Sequence, residues 1–157
     1  MGYQWFPIPW MDGSSEAAAS AALDRSAVVL NAFIDKVLAD EGLTPGRLIL
    51  FGFSQGTMMS LHVAPRRSEP VAGIAGFSGR LLRPERLAAE ALSKPPVLLV
   101  HGDADEVVPF AEMQAAGEAL TAAGFRVRGH VERGTGHGIA PDGLSAALAF
   151  IRERLEG

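Results

Sequence analysis

A short apolar run, Leu48-Ile49-Leu50-Phe51, passes without a spacer into Gly52-Phe53-Ser54-Gln55-Gly56 and then into a helix-forming stretch, Thr57-Met58-Met59-Ser60-Leu61-His62-Val63. No other feature constrains the fold as tightly. A run that is apolar at every position suits a strand covered on both faces, the pattern of a parallel sheet. A strand that turns into a helix within a few residues brings backbone against backbone, so glycine is expected on either side of the turn, at Gly52 and Gly56. The rest of the chain repeats the same alternation. Strand-like segments at 71–77, 97–101 and 125–131 are separated by expected helices at about 84–92 and about 110–123, the second stopped by Gly124. A loop over 132–141 leads to a closing amphipathic helix at 143–155. Strands alternating with helices predict an α/β protein, a mostly parallel sheet with flanking helices joined by right-handed crossovers.

Ahead of the first strand, Leu23, Ala27, Leu30, Ile34 and Val37 recur at steps of four, three, four and three, which predicts one long helix over 15–41. Ser14 or Ser15 can cap it, Glu16 lies in its first turn, and Gly42 ends it. Residues 1–10 hold both Trp, the only Tyr and two Pro, a texture that reads as the wall of a loop. They show no basic flank followed by an apolar core, so no secretory signal is expected. At 157 residues the chain has the length of a single domain spanning 1–157.

Composition narrows the classes of partner. Fourteen Lys plus Arg against eighteen Asp plus Glu give a net charge of −4, and no basic run occurs, so nucleic acid is not an expected partner. With no Cys, disulfides, iron–sulfur clusters, cysteine nucleophiles and zinc ribbons are excluded, and a cytoplasmic setting is favoured. No uninterrupted apolar stretch approaches the roughly 20 residues of a membrane helix, so no membrane span is expected.

Between a strand and a helix, G-x-S-x-G presents the Ser54 hydroxyl at the carboxyl end of the sheet and sets the Gln55 backbone N–H at a helix amino terminus, where it can face a developing oxyanion. A serine nucleophile needs a base, and the base an orienting acid, later in the chain in the order Ser, Asp, His. His101-Gly102-Asp103-Ala104-Asp105 leaves the end of a strand and offers two carboxylates, while Gly134-Thr135-Gly136-His137-Gly138 displays an imidazole on a glycine-rich loop after the last strand. Periodicity does not choose between Asp103 and Asp105. His101 reads as structural, and His62 and His130 as packing or surface residues. Ser78 in Gly76-Phe77-Ser78-Gly79 has Arg80 where the second glycine would stand and reads as a residue lining or supporting the pocket. A metal site built from His101, Asp103, Asp105 and His137 would leave the Ser54 turn unexplained, so neither metal nor cofactor is expected.

Taken together, Gly52 to Gly56, His101-Gly-x-x-Asp105-x-x-Val108-Pro109 and Gly136-His137 resemble the phospholipase/carboxylesterase family of α/β-hydrolases, relatives of the acyl-protein thioesterases. The resemblance implies an α/β-hydrolase fold, Asp105 as the acid of a Ser54, His137, Asp105 triad, and Asp103 as a solvated or turn-stabilising residue. It implies small-molecule esters as substrates: short-acyl esters, lysophospholipids or thioesters. The family also carries strands and a second oxyanion loop ahead of the long helix, and no such segment is found here, so the chain is expected to be an N-terminally truncated version, the carboxyl two-thirds. Loss of one oxyanion donor is expected to slow turnover by about a hundred- to a thousandfold. The 48–53 strand would then lie at the sheet edge with an unpaired apolar flank, to be covered by another copy of the chain or by a complementing N-terminal segment. A different class of function also fits: a weakly active or noncatalytic hydrolase fragment that binds a partner through that edge.

Overall fold

The computed structural model describes residues 3–156. Its elements are α1 (Pro9–Asp12), α2 (Glu16–Glu41), β1 (Ile49–Phe53), α3 (Gln55–Val63), β2 (Gly73–Phe77), α4 (Leu87–Glu90), β3 (Val97–Gly102), α5 (Ala111–Ala122), β4 (Val127–Glu132) and α6 (Pro141–Glu156). The chain forms two compact units, Met1–Leu43 and Thr44–Gly157.

In the first unit the expected long helix forms with its expected caps. The Ser15 hydroxyl accepts the Ala18 N–H at 3.0 Å, and Gly42 takes the left-handed conformation at φ +65°. Ala22, Leu23, Ile34 and Leu38 are buried, with Ala27, Leu30 and Val37 half-buried along the same stripe. By length and composition α2 is also apolar enough to cross a membrane, a test that core helices and signal sequences pass as well. The expectation of no uninterrupted apolar stretch of that length still holds, because Asp24 and Arg25 interrupt the helix. Within residues 3–13, Phe6 is buried, whereas Trp5 and Trp10 stay partly exposed.

The second unit is a four-stranded parallel sheet in the order β1-β2-β3-β4. Helices α3, α4 and α5 cover one face through Leu61, Leu87, Ala116 and Leu120 on Ile74, Val97 and Leu99. Helix α6 covers the other through Ala147 and Phe150 on Ala75, Phe77, Leu98 and Val100. The double cover expected of the apolar run in β1 is not found there, whereas β2 and β3 are buried at every position. As an edge strand β1 leaves Phe51 45% and Phe53 38% exposed on the α6 face. The helix expected over 84–92 also shrinks, to a 3₁₀ turn at Pro84–Arg86 and the single turn α4. The amides of Leu92 and Ser93 are taken by the Pro65 carbonyl, and Pro95-Pro96 behind them demands extended backbone.

Parallel register brings the carboxyl ends of β1 to β4 to one edge of the sheet, with Phe53 beside Phe77 and Gly102 beside Glu132. The tight turn out of β1 confirms half of the glycine expectation. A Cβ on Gly52 would stand 2.5 Å from the Gly56 carbonyl carbon and the Thr57 nitrogen, both backbone, whereas a Cβ on Gly56 meets nothing within 4 Å. Gly52→Ala is therefore expected to cost about 1–3 kcal/mol of stability through overpacking that backbone cannot relieve. Gly56→Ala should melt close to the wild type, and thermal denaturation of the two variants checks the contrast.

Candidate active site

Ser54 occupies the turn between β1 and α3 at φ +54°, ψ −114°, a region that non-glycine residues adopt at a cost of about 1–3 kcal/mol. The surrounding bonds hold it there. Its N–H donates to the Phe77 carbonyl at 2.8 Å, and its own carbonyl accepts the Met58 N–H at 3.1 Å. The buried Thr57 hydroxyl donates to the same Phe77 carbonyl at 2.8 Å. The Thr57 methyl fills the room left by Gly76 and Gly79, where a Cβ would come within 2.6 and 2.5 Å of it. Gln55 opens α3 directly after Ser54, at the end of a helix where backbone N–H groups point outward along the axis.

The carboxylate of Asp105 is enclosed on all sides. Its Oδ1 accepts the Val107 and Val108 N–H groups, each at 2.9 Å, and its Oδ2 accepts from His137 Nδ1 at 2.8 Å. A carboxylate can only accept, so Nδ1 carries the proton of the neutral imidazole and Nε2 presents its lone pair. Nε2 lies 3.1 Å from Ser54 Oγ, the distance of a hydrogen bond donated by the hydroxyl. Three side chains far apart in sequence thus form one hydrogen-bonded relay with a defined direction. Burial pushes the Asp105 carboxyl up, but the His137 hydrogen bond and the Val108 and Val107 amides outweigh it and hold it below the ordinary carboxylate value. Phe53 lies against the imidazole, with ring centroids 4.8 Å apart, and keeps solvent off one face of it.

The loops bearing acid and imidazole are stitched together. Asp103 N–H donates to the Glu132 carbonyl at 3.2 Å, Ala104 N–H to the Thr135 carbonyl at 3.0 Å, and Gly134 N–H to Asp103 Oδ1 at 2.7 Å. Asp103 is therefore the turn stabiliser that the resemblance implied, and it does not touch the relay. Gly102 does more than the sequence showed: a Cβ there would come 2.2 Å from the Thr135 carbonyl oxygen, so only a bare backbone lets the imidazole loop come this close. His101 is buried, with Nε2 2.9 Å from the Val108 carbonyl. His62 is buried inside α3, and His130 pairs with Asp142 at 2.6 Å. Ser78 is fully buried at φ +52°, so it supports the site from beneath instead of lining it. Among the described residues no group of three or more His, Asp or Glu side chains is arranged to hold a metal ion.

Sequence reasoning missed Glu132, the last residue of β4, whose carboxyl is fully buried and accepts the Ala140 N–H. Its one signal was an acidic residue ending an otherwise partly apolar strand. Burial pushes this carboxyl up from its ordinary value, with the Ala140 amide acting against it and the nearby Asp142 adding to the rise.

A parallel sheet whose first strand turns sharply through a strained serine into a helix, with a carboxylate and an imidazole from later strand ends meeting that serine, defines a protein of the α/β-hydrolase class. The model of the phospholipase/carboxylesterase family matches residues 1–155, and the chain belongs to that family. It is 34% identical over 121 residues to acyl-protein thioesterase 1 of Gibberella zeae, covering 74% of this chain and 52% of that protein. It is 32% identical over 161 residues to acyl-protein thioesterase 1 of Neurospora crassa, covering 96% and 65%. Among solved structures, esterase PE8 superposes with a TM-score of 0.91 at 45% identity, over 98% of this chain and 71% of that one. SOBER1 of Arabidopsis thaliana does so with 0.83 at 27%, over 97% and 74%. The chain thus spans about half to two thirds of the length of the curated relatives it matches.

The two buried carboxyls should leave opposite marks on stability. Asp105, depressed in the folded state, contributes stability that is complete above its ordinary value of 3.8 and is lost as pH falls through the lower folded value. Glu132 binds its proton more tightly when folded, so stability falls as pH rises from 4.5 through the elevated folded value. Denaturant unfolding from about pH 3 to about pH 8 should show Asp105→Asn weaker than the wild type near neutrality, with the deficit closing in acid. Glu132→Gln should gain on the wild type as pH rises.

Proposed function

We propose that the chain is a serine hydrolase that cleaves small-molecule carboxylic esters through an acyl-enzyme, with Ser54 as nucleophile, His137 as general base and acid, and Asp105 as the orienting carboxylate. The observation that carries this reading is the unbroken line of hydrogen bonds from Ser54 Oγ through His137 to Asp105, at 3.1 and 2.8 Å. His137 Nε2 takes the hydroxyl proton as Ser54 Oγ attacks the acyl carbon, and the negative charge moves to the carbonyl oxygen, facing the Gln55 N–H. Asp105 stabilises the imidazolium that results without taking its proton. The imidazolium then protonates the departing alcohol or thiol, leaving an ester on Ser54. Water, deprotonated at the same nitrogen, attacks that ester, and Ser54 regains its proton as the carboxylic acid leaves.

Short-acyl esters, lysophospholipids and thioesters all present an acyl carbon whose alcohol or thiol can depart once the imidazolium protonates it. The partly exposed Phe53 ring beside His137 favours substrates with an apolar acyl or alcohol part. The lack of cysteine fits a cytoplasmic enzyme. A second reading, a binding or assembly module acting through the sheet edge, draws on Phe51 and Phe53, which are apolar and exposed on the edge strand β1. The same edge supports the proposal that a second copy or a complementing segment covers β1 in the working particle. Light scattering should then report a species heavier than one chain, and a monodisperse, fully active monomer would contradict it.

The hydrolase reading predicts that Ser54→Ala and His137→Ala each lose on the order of 10⁴-fold in hydrolysis of a p-nitrophenyl ester. A fluorophosphonate should label the wild type at Ser54. Activity unchanged by Ser54→Ala would end this reading, and a folded chain that resists the probe would favour the binding module.

A further inference from the structure

We infer that Glu132 is the positioning residue for His137: its side chain and its backbone carbonyl together close the loop that carries the imidazole. This rests on the hydrolase reading above. Glu132 Oε2 accepts the Ala140 N–H at 2.5 Å, beyond His137 in the chain. The Glu132 carbonyl accepts the Thr135 N–H at 3.3 Å, before His137, and the Asp103 N–H at 3.2 Å, from the loop of the triad acid. One residue at the end of β4 thus grips the imidazole loop at both ends and ties it to the acid loop. The loop needs such a closure, because Gly134, Gly136 and Gly138 give it backbone freedom that must be suppressed for Nε2 to stay within hydrogen-bonding reach of Ser54.

Two further observations show that the position is built for a carboxyl at a cost to the fold. Glu132 Oε1 is buried with no hydrogen-bond partner among the described residues, an arrangement an apolar side chain would avoid. Opposite it, in the first turn of α6, stands Gly143, where a Cβ would come 2.2 Å from Glu132 Oε2. Any side chain at this position would meet the carboxyl, so glycine here keeps space for it. A buried polar group retained against its own stability, beside a loop that must be exact, is the pattern expected of a group held for function.

The test compares Glu132→Gln with Glu132→Leu. Both replace the carboxyl at similar volume, and only Gln keeps an acceptor for the Ala140 N–H. Three readouts are taken: the fluorophosphonate labelling rate at Ser54, kcat and KM on a p-nitrophenyl ester, and hydrogen exchange of the 133–140 amides. Glu132→Leu should lose about a hundredfold in labelling and kcat, as expected for a reacting group displaced by about an ångström, with KM within about threefold of the wild type and faster loop exchange. Glu132→Gln should restore all three to within about threefold while melting no lower than the wild type. Should Glu132→Leu fail to fold, Gly143→Ala decides, since it displaces the carboxyl from the helix side and should slow labelling in the same way.

Equal losses in Gln and Leu variants, or no loss in Leu and in Gly143→Ala, would overturn the inference. A wild type that resists the probe, with loop exchange still responding to Glu132→Leu and restored by Gln, would sink the hydrolase reading and leave the loop closure standing.

Discussion

The hydrogen bond between Asp105 Oδ2 and His137 Nδ1 is the contact on which the site depends. It joins loops from two different strands at 2.8 Å, fixes which imidazole nitrogen carries the proton, and so decides that Nε2 faces Ser54 as an acceptor. The bond is made dependable by what surrounds it. Two backbone amides hold the other carboxylate oxygen, and three cross-loop hydrogen bonds set the distance between the loops. Bare backbone at Gly102 lets the Thr135 carbonyl approach. Most of the machinery is therefore main chain, precise because a parallel sheet delivers all its strand ends to one edge.

The chain accepts local strain and poor burial at this edge and offsets both within the sheet. Ser54 and Ser78 keep positive φ angles at the ends of adjacent strands, each with its N–H donating to a carbonyl of the next strand, Phe77 and Val100. The buried Glu132 carboxyl is a second such cost. Against these stand two central strands with every residue buried and apolar clusters on both faces of the sheet. A stable middle and a strained rim are what a site needs when its groups must stay put without substrate to hold them.

Much of this was legible in the residues, for identifiable reasons. Helix α2 announced itself through a 3.6-residue period and chemical caps, and the α/β class with its parallel sheet followed from the alternation of strands and helices. Ser54 and His137 were legible because each lies in a glycine-marked turn. Asp105 was not separable from Asp103 by period, since both follow one strand end, and the family motif made the choice. Other features depended on contacts between distant segments: the room Gly102 leaves for Thr135, the Glu132 to Ala140 bond, and Phe53 against His137. A one-dimensional pattern carries no trace of these. The exposure of β1 contradicted its apolar run because hydropathy reports what a strand can tolerate, not which neighbours it has. The helix expected over 84–92 ends at Glu90 because the amides of Leu92 and Ser93 are claimed by the Pro65 carbonyl.

The proposed hydrolase reading turns on one intermediate, an acyl group esterified to Ser54. Acid-quenched mass spectrometry tests it most directly: the protein is mixed with a p-nitrophenyl ester, stopped in acid within the first turnover, digested and mapped. An added acyl mass on the Ser54 peptide, absent in Ser54→Ala, is the predicted result. Nitrophenol released in step with turnover while that peptide stays unmodified, or an adduct on any other residue, would contradict it.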